Sequence, residues 1–190
     1  MSDLILEPTT TAQWQRLIRE AASSSAHQLD EDLESYLVFV LMRFCRDPAL
    51  TKRIMAIEFL QSLHAQGQLR NAGLRDVGDQ CLLFAGIFPH LARRRMVKIS
   101  YFVDLGRSAY HELSEFMSVS AAELYRELSA AFVSLMEVLH HMCELRGDPL
   151  LQPLEAMELW RDTGSTHARD TLRATTEAPV IWTSTAQRTH

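Results

Sequence analysis

Apolar residues recur at intervals of three and four along most of the chain, the spacing that gathers them on one face of an α-helix. A first helix is expected from Thr10 or Thr11, carrying Trp14, Leu17, Ile18 and Ala21, with Ser23 to Ser25 at its end. A second is expected to begin at Asp30, with Glu31 and Asp32 in its first turn, where carboxylates complement the helix dipole. Its run from Tyr36 to Met42 is apolar on nearly every side, which places it at the centre of the core. Asp47-Pro48 reads as an N-cap followed by proline at the first helical position. The helix it opens would carry Leu50, Ile54, Ile57, Leu60 and Leu63 and close at Gly67. Leu74, Val77, Cys81, Phe84 and Ile87 mark the next, ending near Pro89.

A basic connector, Arg93-Arg94-Arg95-Met-Val-Lys98, separates it from a helix over about Ser100 to Met117. Ser120 and Glu123 have capping-box spacing, and Val119 can staple to Leu124. The helix so started would carry Leu124, Leu128, Ala131, Leu135, Met142 and Leu145 as far as Gly147. Asp148-Pro149 repeats the cap-proline pair before a short helix through Leu154, Met157 and Trp160 to Gly164. Beyond Gly164, Thr, Ser, Ala and Arg replace most large apolar residues. The expected fold is therefore all-α. One domain over 1–164 forms a bundle of about six or seven helices, and a loosely structured tail over 165–190 docks, if at all, through Val180 to Trp182.

At 190 residues, 47% hydrophobic, the chain can bury a full core without disulfide or metal staples. A formal charge of −5 disfavours wholesale binding to nucleic acid or anionic membranes. Cys45, Cys81 and Cys143 are odd in number, far apart and set in apolar runs, the pattern of small buried thiols in a reducing compartment. The first residues lack the basic start and long apolar stretch of a signal peptide, and no apolar run is long enough for a bilayer span. A cytoplasmic protein without a membrane role is expected.

Candidate chemistry is sparse. Glu137-Val-Leu-His140 puts a carboxylate and an imidazole on one helix face, as in di-iron bundles, but such sites need two pairs and two further glutamates. Adding His111 and Glu115, an i, i+4 pair, gives a metal-site alternative of His111, Glu115, Glu137 and His140, with Glu34 or Glu58 as further recruits. His140 and Cys143 also share a face, whereas His140 and His141 point about 100° apart. With one pair only, no metal or cofactor is expected. No phosphate loop, dinucleotide fingerprint or nucleophile elbow is present, so nothing indicates an enzyme. The small-residue faces at Gly78 and Gly106 read as close helix contacts in preference to a pocket. Asp79 reads as an edge carboxylate paired with Arg75; the sharper alternative is a buried carboxylate bonded to Tyr101 or Tyr110 with a raised pKa.

The dense basic segment Arg93, Arg94, Arg95 and Lys98, flanked by Tyr101 and Phe102, is the candidate binding surface. Folding alone gives no reason to gather four cations, so an acidic protein or a phosphate-bearing ligand is the expected partner, with nucleic acid less favoured. Three stretches, Leu74-Arg-Asp-Val-Gly-Asp79, Leu83-Phe-Ala-Gly-Ile-Phe-Pro89 and Ser100-Tyr-Phe with Leu105-Gly-Arg-Ser-Ala-Tyr110, resemble a family of uncharacterised bacterial proteins. That resemblance implies a bacterial source and a helical fold, and carries over no catalytic or binding residue. The function expected is that of a non-catalytic helical protein, adaptor or regulator, acting through protein contacts that include a second copy of itself. A metal-binding bundle and a phosphate or nucleic-acid binder are the alternatives.

Overall fold

The structure, a computed structural model, describes residues 9–25, 27–46, 54–145 and 150–175. Ten helices follow one another among them, with no strand: α1 (Thr10–Ser24), α2 (Glu31–Arg46), α3 (Met55–His64), α4 (Gly67–Gly86), α5 (Pro89–Arg94), α6 (Ile99–Glu115), α7 (Val119–Ala130), α8 (Phe132–Glu144), α9 (Pro153–Thr163) and α10 (Thr166–Thr175). None of the described helices is long and apolar enough to cross a membrane.

Local signals set several boundaries as expected. The Thr9 hydroxyl accepts from the Ala12 N–H at 3.2 Å, and the Asp30 carboxylate accepts from the Leu33 N–H at 2.8 Å, so α1 and α2 both start on a side-chain cap. Gly164 closes α9 in the left-handed region, at φ 74°. Asp47-Pro48 and Asp148-Pro149 lie outside the described residues.

The count of six or seven helices is low for three reasons. The basic connector is partly helical, as α5. The helix expected from Ser120 to Gly147 is broken at Ala131 into α7 and α8, where Phe132 turns inward over Gly106. No proline or glycine marks that break, so the sequence hides it. Residues 166–175, expected in the tail, form α10, which packs on α9 and buries His167, Ala168 and Leu172. Val180 to Trp182 lie outside the described residues.

Two local expectations are corrected. Ser118, not Ser120, occupies the N-cap position of α7, and Val119 is 83% exposed, so it staples nothing. On α3, the face expected inward at Ile54, Ile57 and Leu60 is turned outward, while Met55 is buried and Phe59 and Leu63 pack on the core. This helix is apolar on two sides, and periodicity alone cannot rank them. Gly73 on α4 decides, because it lets the backbone close on Ser62; a Cβ there would lie 2.2 Å from the Ser62 hydroxyl.

Helices α4 and α6 form the central pair; α3, α7, α8 and α9 pack around them, and α2, packed on α1 and α7, reaches them through Tyr36 and Arg43. A Cβ at Gly78 would lie 2.4 Å from the Tyr110 ring, and one at Gly106 would lie 2.5 Å from Phe132 and 2.9 Å from the Cys81 Cβ. The small-residue faces are thus close helix contacts. Cys81 is fully buried there, and burial pushes its thiol pKa up, away from reactivity.

Candidate functional site

The basic segment sits where α5 gives way to α6, and it does not stand free. Arg93 pairs with Glu155 at 3.4 Å, and Lys98 pairs with Asp162 at 3.4 Å and Glu158 at 3.7 Å. The Arg95 guanidinium lies 4.8 Å from the centre of the Phe84 ring. Arg94 is exposed. Asp162 also accepts from the Ser100 hydroxyl at 2.9 Å; against the cost of burial, its donors hold the carboxyl below the usual range. Arg93 and Lys98 therefore fasten the α5–α6 turn to an acidic row on α9. Phe102, expected on the surface, is 1% exposed and packs on Phe84 with ring centres 5.2 Å apart.

What stands out around this turn is apolar. Met96 is 94% exposed and holds φ 57°, the left-handed region that favours glycine. The Val97 N–H bonds to the Ala92 carbonyl at 3.0 Å and the Met96 N–H to the Arg93 carbonyl at 3.1 Å, so Met96 occupies the position where a helix end ordinarily takes glycine. Two grooves meet at Val97. One runs past Met96 to Leu154 on α9, and the other runs past Tyr101 to Ile54 before α3. Leu154 and Ile54 are 63% and 62% exposed.

The four residues of the expected metal site do not form one. His111 and Glu115 are exposed on α6, whereas Glu137 and His140 are buried on α8. Glu137 serves as an anchor for α10. Its carboxylate accepts from the Thr166 hydroxyl at 2.9 Å and the His167 N–H at 3.2 Å, and it also meets His27 from the segment before α2. Burial alone would raise its pKa, but bonds from Ser165, His27, Thr166 and the His167 backbone outweigh burial and hold it below the usual value. A carboxylate at the first turn of α10 also complements that helix's dipole. His140 meets the Ala85 carbonyl through Nε2 at 2.8 Å, and burial pushes its pKa down to about 4, so it is neutral.

Sequence reasoning missed a different trio. His141 and Glu144 on α8 face His167 on α10, with one donor atom of each lying within 4.8 Å of the others. The His-x-x-Glu spacing was legible, but the third member came from a segment read as tail.

Asp79 is 4% exposed, contrary to the edge pair expected with Arg75. Tyr36 and Tyr110 donate to its Oδ1 at 2.7 and 2.9 Å, and Arg43 donates to its Oδ2 at 3.1 Å while also reaching Asp76 at 2.6 Å. Of the two tyrosines named for a buried Asp79, Tyr110 is bonded to it and Tyr101 is not one of these donors. Burial raises the carboxyl to about 6, with the tyrosines and Arg43 pulling the other way. The cluster ties α2, α4 and α6 together inside the core.

Comparison with known proteins yields no matching family model, curated protein or solved structure.

Proposed function

We propose that this chain is a non-catalytic helical protein that acts through protein contacts, and that its contact face is the α5–α6 turn with Ile54, Met96, Tyr101 and Leu154. The observation carrying the proposal is Met96. A left-handed residue other than glycine costs of order 1–2 kcal/mol, and an almost fully exposed side chain returns none of it within the fold. Apolar side chains at the centre with charges at the rim are the usual anatomy of a protein interface.

The charge pattern directs the choice of partner. Cations at Arg93 and Lys98 lie beside carboxylates at Glu155, Glu158 and Asp162, and a face that carries both signs side by side can complement itself about a two-fold axis. A second copy of the chain is the partner that fits best. A phosphate-bearing ligand or nucleic acid would have to displace the α9 carboxylates. A bacterial source, implied by the resemblance over residues 74–110, belongs to the same proposal.

Analytical ultracentrifugation over a wide concentration range tests it. A reversible dimer is expected, weakened at least tenfold by Met96→Asp or Leu154→Asp and unchanged by Glu115→Gln on α6. A photo-crosslinking residue at position 96 should give the dimer adduct. A strict monomer whose position 96 forms no adduct in cells beyond that of a control position would overturn the proposal.

A further inference from the structure

We infer that His141, Glu144 and His167 form a binding site for one divalent transition-metal ion of the zinc class, joining α10 to α8. This departs from the expectation that the chain takes no metal, and it is independent of the contact face.

The argument starts with placement. His141 and Glu144 are three residues apart on α8 and so share a face. His167 comes from the first turn of α10, which the buried Ser165 positions by accepting from the Ala168 N–H at 3.1 Å and which Glu137 anchors from α8. The His167 ring stands between the other two groups. Its Nδ1 is 3.2 Å from the His141 Nε2, and its Nε2 is 3.3 Å from the Glu144 Oε1. Bonds of 2.0–2.1 Å in a tetrahedral zinc site separate neighbouring donors by roughly 3.3–3.4 Å. The two short contacts use opposite nitrogens of the His167 ring, of which one ion takes only one; with one donor atom from each residue the three lie within 4.8 Å of one another, and a turn of the His167 ring closes the wider gap.

A second observation points the same way. His167 is 7% exposed, and its Nε2, fully shielded from solvent, has no aligned hydrogen-bond partner; the nearby Glu144 oxygen is off the line of the bond. A buried ring nitrogen whose contact is one poorly aligned carboxylate oxygen is under-satisfied by protein alone. A cation between them would satisfy both.

Two imidazoles and one carboxylate suit zinc among the hard and borderline ions, and magnesium or calcium would demand more oxygen. His141 and Glu144 are only half-buried, so a fourth position faces solvent and would take water.

The test uses the full-length protein stripped with chelator and titrated with zinc chloride by calorimetry. One zinc per chain is expected. Losing a group behind the ligands alone can cost about a hundredfold in affinity, so His141→Ala and His167→Ala should each cost more than that. Glu144→Gln keeps the side-chain volume and should cost at least tenfold with metal-free stability unchanged, which separates ligand loss from misfolding. His111→Ala, on the exposed α6 surface, should change nothing. Cobalt added in place of zinc should give the strong visible bands of a four-coordinate site, and zinc should slow trypsin cleavage at Arg169 and Arg173 in α10. Zinc affinity equal in wild type, His141→Ala and Glu144→Gln, or cobalt showing only the weak spectrum of the hydrated ion, would overturn the inference.

Discussion

Asp79→Asn is the substitution whose outcome is most tightly fixed by geometry. The side chain keeps its volume and an oxygen to accept from Tyr36 and Tyr110, but it loses the ability to ionise. In the native protein burial raises the carboxyl from an ordinary 3.8 to about 6, so the folded state holds the proton more tightly than the unfolded chain does. Protonation therefore stabilises the fold. The contribution is fully present below the unfolded value and is lost as pH rises through about 6, with a total loss of about 3 kcal/mol. Between about pH 5 and pH 8 the wild type should lose about 1.4 kcal/mol that the Asp79→Asn variant does not. Urea unfolding of both proteins at the two pH values measures this as a double difference, in which groups titrating alike in both proteins cancel. A difference that does not change with pH would contradict this account. It would mean that Arg43 and the tyrosine hydroxyls outweigh burial and keep the carboxylate ionised throughout.

Gly106→Ala should destabilise by about 1–3 kcal/mol in chemical unfolding, because its Cβ would meet the Phe132 ring at 2.5 Å and the Cys81 Cβ at 2.9 Å, both in the packed core. Met96→Gly should leave the melting temperature unchanged or raise it, since glycine relieves the left-handed backbone at the cost of a freer unfolded chain. Glu137→Ala should cost about 3–5 kcal/mol by leaving the donors at the start of α10 unsatisfied, and limited proteolysis should then cut within α10. The pKa of Glu137 is lowered in the fold, so its stabilising contribution is present above the unfolded value and lost as pH falls through the folded one; the variant should be less sensitive to acid than wild type. Truncation after Gly164, harmless if 165–190 were only a tail, should lower cooperativity or stability in thermal unfolding by removing Ala168 and Leu172 from the core.

The helical class, most helix positions and much of the core were legible in the sequence, because these follow from short-range periodicity and from caps such as Asp30 and Gly164. The sequence also marked Gly78 and Gly106 as places where helices approach, although the partners Tyr110 and Phe132 could be named only from the fold. Packing alone settled which of two apolar faces of α3 turned inward, since a periodic pattern carries no sense of what lies opposite. It set Arg93 and Lys98 against carboxylates some sixty residues away on α9, contacts that a run of basic residues does not reveal. Long-range placement also separated His111 from His140 and brought His167 to His141 and Glu144. The last of these was hidden for a physical reason. Helix α10 has few large apolar residues, and much of its hold on the body is polar, through Glu137 and Ser165, partners that hydrophobic patterning does not register.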